Sequence, residues 1–186
     1  MKEWLRSLWP VYREVTVDGA RARYLCHGSG PPLLLLASPL ALARRYHRAI
    51  RSLSRSFTVV CVELPGSGGS EQLPKPWSVE RYAKWVVELV RYLPLAAPIV
   101  VGHGGSTAIA AEVARLAPSE IGGLVLIDVP RATAAHRLRM LPQALWNAFR
   151  HHAIFAEHVK NACRPTPALR RFVAAVRGRP LPAFAG

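Results

Sequence analysis

Ile99-Val100-Val101-Gly102-His103-Gly104-Gly105-Ser106-Thr107-Ala108-Ile109-Ala110-Ala111-Glu112-Val113-Ala114-Arg115-Leu116-Ala117-Pro118 decides the fold. Its first three residues are apolar and β-branched, as a strand buried on both faces requires. Glycines at 102, 104 and 105 follow, then an alanine-rich helical run that Pro118 stops. A strand that turns sharply into a helix brings main-chain N–H groups to the carboxyl end of that strand. In parallel sheets that is where ligands bind.

Outward from this stretch the same alternation recurs. Upstream, residues 57–62 (FTVVCV) and 33–36 (LLLL) read as buried strands. Between them Leu42, Tyr46, Ala49, Ile50 and Leu53 recur at helical spacing. Ser78 is positioned to cap a helix whose apolar face is Val79, Tyr82, Val86, Leu89, Val90 and Leu93. Downstream, residues 124–127 form a fourth buried strand with Asp128 at its end. Residues 14–17 and 20–25 flank Asp18-Gly19, a hairpin signal. Apolar strands alternating with amphipathic helices predict an α/β fold: a mostly parallel sheet with helices on both faces and antiparallel strands at one edge.

After Pro130 the strand signal stops. Residues 141–162 and 168–177 read as helices, and Pro165, Pro167, Pro180 and Pro182 break the remainder. Two regions are therefore expected: a core over 1–130 and a basic helical appendage over 131–186. The chain carries a net charge of +14 over 186 residues. The core holds 15 basic and 10 acidic groups, the appendage 10 basic and one acidic, Glu157. The arginines stand singly among Ala, Leu and Val without interleaved aromatics, which argues against nucleic-acid binding as the main role. An anion- or nucleic-acid-associated interaction protein stays a third reading, on the charge of 131–186 alone.

With 51% hydrophobic residues the chain can build a core without staples. Cys26, Cys61 and Cys163 are odd in number and widely spaced, so neither a disulfide framework nor a zinc ribbon is expected. Free thiols fit a reducing cytoplasm. No run reaches the roughly 18 apolar residues of a membrane span, and residues 1–14 lack the apolar block of a signal peptide. His151-His152 point about 100° apart on a helix with no third ligand in view, and no metal or cofactor is expected.

The hairpin with Asp18-Gly19, the loop Gly28-Ser29-Gly30-Pro31-Pro32, the LLLL strand, the VELPGSGGS segment at 62–70, and residues 99–118 followed by LVLID resemble the α/β-hydrolase fold family in order and spacing. The resemblance covers residues 14–130. It implies a hydrolase-like sheet that is truncated after its sixth strand, with 131–186 as the start of a cap region. It also implies a nucleophile elbow, G-x-S-x-G, at Gly102-His103. There Gly104 stands where the serine belongs, and glycine has no side chain with which to attack a carbonyl. Ser106 lies two residues on, a swing of about 200° around a helix. On the oxyanion side Ala37-Ser38-Pro39 takes the place of the family's His-Gly, and Pro39 has no N–H to donate. Asp128 is the one candidate for the acid. His136, His151, His152 and His158 lie in the expected cap helices rather than after a terminal strand.

The resemblance thus implies a degenerate family member without an intact Ser-His-Asp apparatus, serving as a scaffold or binding protein or arising as a truncated product. The alternative is an active hydrolase of small ester-like substrates with a displaced nucleophile, Ser106 or Ser38. Its catalytic residues would be Ser106, Asp128 and His103. Ser38, Pro39, Gly104 and Gly105 would line the ligand site at the strand ends. Each residue also has a plain structural reading. Ser106 would cap or face the helix, His103 would pack, Asp128 would end a strand, Glu63 would organise a loop, and Cys61 would be a buried, inert thiol. Strand 124–127 would need covering by helices, a protein partner or a second copy of the chain.

Overall fold

The computed structural model describes residues 11–37 and 46–129. The elements in chain order are β1 (Val11–Val17), β2 (Ala20–His27), β3 (Pro32–Leu36), α1 (His47–Leu53), β4 (Thr58–Glu63), α2 (Val79–Tyr92), β5 (Ile99–His103), a 3-10 turn (Gly104–Ser106), α3 (Thr107–Leu116) and β6 (Gly123–Ile127). They build one six-stranded sheet in the order β1-β2-β4-β3-β5-β6. The α/β architecture with a mostly parallel sheet is as the apolar alternation predicts.

The hairpin turn Asp18-Gly19 takes positive φ at both positions, 47° and 74°. This is the twist that a two-residue hairpin needs, and Asp and Gly tolerate it best. β1 pairs antiparallel with β2, and β2 antiparallel with β4. The three remaining pairings, β4 with β3, β3 with β5, and β5 with β6, are all parallel. Every parallel connection returns through a helix, so the carboxyl ends of β3, β4, β5 and β6 share one edge of the sheet.

Alternate side chains on each strand feed two cores. Leu34, Leu36, Val60, Val62 and Val100 meet α2 and α3 on one face. Leu33, Leu35, Val59, Cys61, Val101, Val125 and Ile127 meet α1 on the other. The four leucines of β3 are at most 1% exposed, each stabilising the fold by about 1.5–3 kcal/mol. Burial pushes the Cys61 thiol far up, and the charge of Glu63 adds to the shift, so this thiol is inert. Trp85 on α2 is fully buried and donates its Nε1–H to the Val17 carbonyl at 2.8 Å, pinning the hairpin to the helix layer. Ser78 caps α2 as expected, accepting from the Arg81 N–H at 3.1 Å.

Several boundaries differ from the sequence reading. β1 and β2 extend beyond residues 14–17 and 20–25, with Val11 paired to Cys26. Residues 11–14 are exposed and carry no alternation, so main-chain pairing rather than side-chain burial extends the ladder. Glu63 closes β4 rather than opening the following loop, because its main chain still pairs with Arg23. α1 begins at His47, and Leu42 lies outside the described residues. So do Ser38, Pro39, the helices expected over 141–162 and 168–177, and the appendage 131–186. Among the described residues, no helix is long and apolar enough to cross a membrane.

Candidate functional site at the turn after β5

β5 ends in a turn whose geometry rests on two glycines. A Cβ on Gly102 would lie 2.7 Å from the Ala110 Cβ and 2.8 Å from the Thr107 Cα, so only glycine lets α3 approach the strand this closely. Gly104 then takes φ +59°, the left-handed conformation that reverses the chain. The 3-10 turn Gly104–Ser106 runs directly into α3, and the Thr107 hydroxyl donates back to the Gly104 carbonyl at 2.7 Å.

Ser106 is fully buried. Its hydroxyl accepts from the His103 N–H at 3.0 Å and donates to the Leu36 carbonyl at 2.8 Å, with the His103 carbonyl at 3.1 Å. The side chain thus turns inward and ties the end of β5 to the end of β3. None of its hydrogen bonds goes to an imidazole.

His103 and Asp128, singled out separately in the sequence, are brought together. His103 Nε2 lies 3.0 Å from Asp128 Oδ2. On the other side of the ring, Nδ1 lies 2.8 Å from the Tyr46 hydroxyl, and the two rings meet edge to face at 5.6 Å. A carboxylate can only accept, so Nε2 carries the proton and Nδ1 accepts from the phenol. Burial holds the imidazole below its ordinary pKa, against the opposing pull of Asp128. Both ring nitrogens are committed, and neither is left for a nucleophile. Asp128 itself takes φ +53° just past β6, a conformation Asp adopts more readily than most residues.

Glu63 organises the loop after β4. Its Oε2 accepts from Arg23 Nε at 3.0 Å and from the Gly69 N–H at 2.8 Å, and Arg23 Nη2 lies 2.9 Å away. Ser70 hydrogen-bonds both the Glu63 carbonyl and the Arg23 N–H. Gly68 has φ +59°, and a Cβ there would overlap the Glu63 carboxylate, so the loop wraps directly over this charge.

Two partners escaped the sequence reading. Tyr46 counted only as an apolar face residue, because helical spacing registers its ring and not its hydroxyl. Arg23 carried no signal, since its link to Glu63 spans two strands that are far apart in sequence.

Strand order, the glycine turn after β5 and the closing Asp128 frame the comparison with known proteins. A family model described as alpha/beta hydrolase fold matches residues 25–168. The chain belongs to the α/β-hydrolase fold family. It is 29% identical over 154 residues to an uncharacterized protein of Mycobacterium tuberculosis, covering 76% of this chain and 45% of that protein. It is 33% identical over 100 residues to a soluble epoxide hydrolase of a Corynebacterium species, covering 53% of this chain and 35% of that enzyme. Among solved structures, a bacterial membrane phospholipase A superposes with a TM-score of 0.63 at 27% identity, covering 67% of this chain and 41% of that one. The chain spans about half the length, or less, of these α/β-hydrolase relatives.

Proposed function

We propose that this chain is a non-hydrolytic α/β-hydrolase-fold protein that binds a small organic molecule at the carboxyl ends of β3, β4, β5 and β6. The observation that carries this reading is Gly104 at the tip of the turn after β5, with φ +59° and no side chain. In the family pattern a serine at this tip attacks the substrate. Here the tip offers only main-chain groups.

The neighbouring residues support the same reading. Ser106 spends its hydroxyl on the turn itself. His103 spends both ring nitrogens on Tyr46 and Asp128 and is a positioning residue rather than a base. Asp128 orients His103 and acts as no triad acid. Gly104 and Gly105 contribute backbone to the ligand site, and Ser38 and Pro39, outside the described residues, are assigned to it by their place in the chain after β3. The relatives named as epoxide hydrolase and phospholipase support an organic ligand with an apolar part.

Exposure of the folded protein to a fluorophosphonate serine probe, followed by intact-mass measurement, tests this. No adduct is expected. One stoichiometric adduct on Ser106, lost in Ser106→Ala, would overturn the reading in favour of a displaced nucleophile.

A further inference from the structure

The tip of the β1–β2 hairpin is Asp18-Gly19, the one Asp-Gly pair in the sequence; both asparagines, Asn147 and Asn161, precede alanine. Aspartate before glycine is prone to a reaction of its own main chain. The nitrogen of the following residue attacks the side-chain carboxyl carbon, Cγ, and one carboxyl oxygen leaves as water. Glycine, with no side chain, leaves that nitrogen unhindered. Water then opens the succinimide ring at either carbonyl. Opening at Cγ restores aspartate. Opening at the main-chain carbonyl gives isoaspartate, in which the main chain runs through Cβ and Cγ. Atomic composition is unchanged, and the main chain gains one atom.

Three features of the folded protein bear on this reaction. Both residues are exposed, and a Cβ on Gly19 would meet nothing within 4 Å, so water reaches the tip freely. Asp18 stands at φ 47°, in the left-handed region. With the ψ of about +47° that accompanies this region, the Gly19 nitrogen lies nearly opposite the Asp18 Cβ about the Cα–C bond, the arrangement farthest from ring closure. Asp18 Oδ2 also lies 2.6 Å from Arg81 Nη1 on α2, and the Arg81 guanidinium packs over the Trp77 ring at 4.9 Å. The carboxyl is thus held on α2 and must leave that partner to swing onto Gly19.

We propose that Asp18-Gly19 is an isoaspartate-forming site that the left-handed turn and Arg81 hold shut while the hairpin tip is closed. Opening of the tip frees the carboxyl from Arg81 and lets ψ of Asp18 rotate, and the reaction proceeds. The product cannot rebuild the same tip. Val17 and Ala20, the last pair of the ladder, are 6% and 3% exposed, and the two-residue loop joins them. One added main-chain atom does not fit the geometry that positive φ at both loop positions provides. The Val17 carbonyl is also the acceptor of the Trp85 Nε1–H, so the change reaches the clasp between the hairpin and α2.

Ageing the protein at neutral pH tests this, with isoaspartate counted by an isoaspartyl methyltransferase and assigned by peptide mapping. Asp18 should convert fastest in the urea-unfolded chain and more slowly in the folded wild type. In folded Arg81→Gln, conversion should be about two- to fivefold faster than in the folded wild type, the weight of an exposed ion pair. Arg81→Lys, which keeps a cation at this place, should restore most of the protection, which a merely disturbed α2 would not. In the converted protein the amides of Val17 and Ala20 should lose hydrogen-exchange protection and the Trp85 indole N–H signal should move, while β5 and β6 keep their protection. No isoaspartate at Asp18 in urea would overturn the site. Conversion as fast in the folded wild type as in urea, or equal in Arg81→Gln and wild type, would overturn the guard. Conversion that leaves Val17, Ala20 and Trp85 unchanged would overturn the coupling to α2.

Discussion

The hydroxyl of Ser106, in the turn after β5, donates to the main-chain carbonyl of Leu36 at the end of β3, 2.8 Å away and 70 residues earlier in the chain. The same oxygen accepts the His103 N–H. A group that looks like a nucleophile in the sequence is thus a clasp between two parallel strands. Ser106→Ala leaves two buried main-chain groups short of a partner. The expected loss is about 1–3 kcal/mol of unfolding free energy for each group that stays unsatisfied, read by urea denaturation. An unchanged midpoint would show that the clasp contributes nothing.

Gly104 occupies a left-handed position, so any side chain placed there is strained. Gly104→Ser should cost about 1–2 kcal/mol. It should also stay unlabelled by a fluorophosphonate, because His103 already uses both ring nitrogens. A labelled, hydrolytically active Gly104→Ser protein would mean that a base outside the described residues reaches the tip.

Glu63 is nearly fully buried while the Arg23 side chain is 31% exposed. Removing one partner of a fully buried pair costs about 3–5 kcal/mol. Exposure of Arg23 puts Glu63→Ala below that range. Glu63→Gln, which keeps an acceptor for the Gly69 N–H, should lose less than Glu63→Ala. Comparing the two by urea denaturation checks the order; equal losses would mean that the charge, and not the acceptor for Gly69, accounts for the whole effect.

Two imidazoles, the buried His103 and the partly buried His47, give stability a defined pH slope. Both His47 and His103 have folded pKa values below the ordinary 6.5. As pH falls through 6.5 the unfolded chain takes up protons that the folded chain refuses. Stability is therefore full above about pH 6.5, falls as acid is added, and stops falling once the folded imidazoles protonate. Unfolding free energies measured from pH 8 to 5 should show this decline. The slope should shrink in His47→Gln and again in the double variant with His103→Gln. A slope equal to that of the wild type in the double variant would place its origin elsewhere.

Much of the fold was legible in the sequence because its signals are local. LLLL at 33–36 and FTVVCV at 57–62 can satisfy neither a half-exposed strand nor a surface helix, and both lie in the interior of the sheet. Asp18-Gly19 marks the hairpin because few other residues accept positive φ twice in succession. Residues 11–13 and the main chain of Glu63 join strands that their side chains do not signal, because ladder pairing extends strands where side chains are exposed or charged; the Glu63 carboxylate organises its loop as expected. His103 and Asp128 could be named as candidates from their places at strand ends, but nothing in either stretch shows that they touch.

By itself the sequence determined the alternation of buried strands and helices, the glycine turn after β5, and the absence of a side chain at position 104. These are properties of covalent chemistry and local period, which no tertiary contact can alter. The tertiary structure alone decided what the polar groups at that turn and at the end of β4 do. Ser106 meets Leu36, His103 meets Tyr46 and Asp128, and Glu63 meets Arg23, across 70, 57, 25 and 40 residues. Parallel strands bring their carboxyl ends to one edge whatever their order in the chain. Which groups become partners there depends on strand register and on the buried site's demand that every polar atom be satisfied.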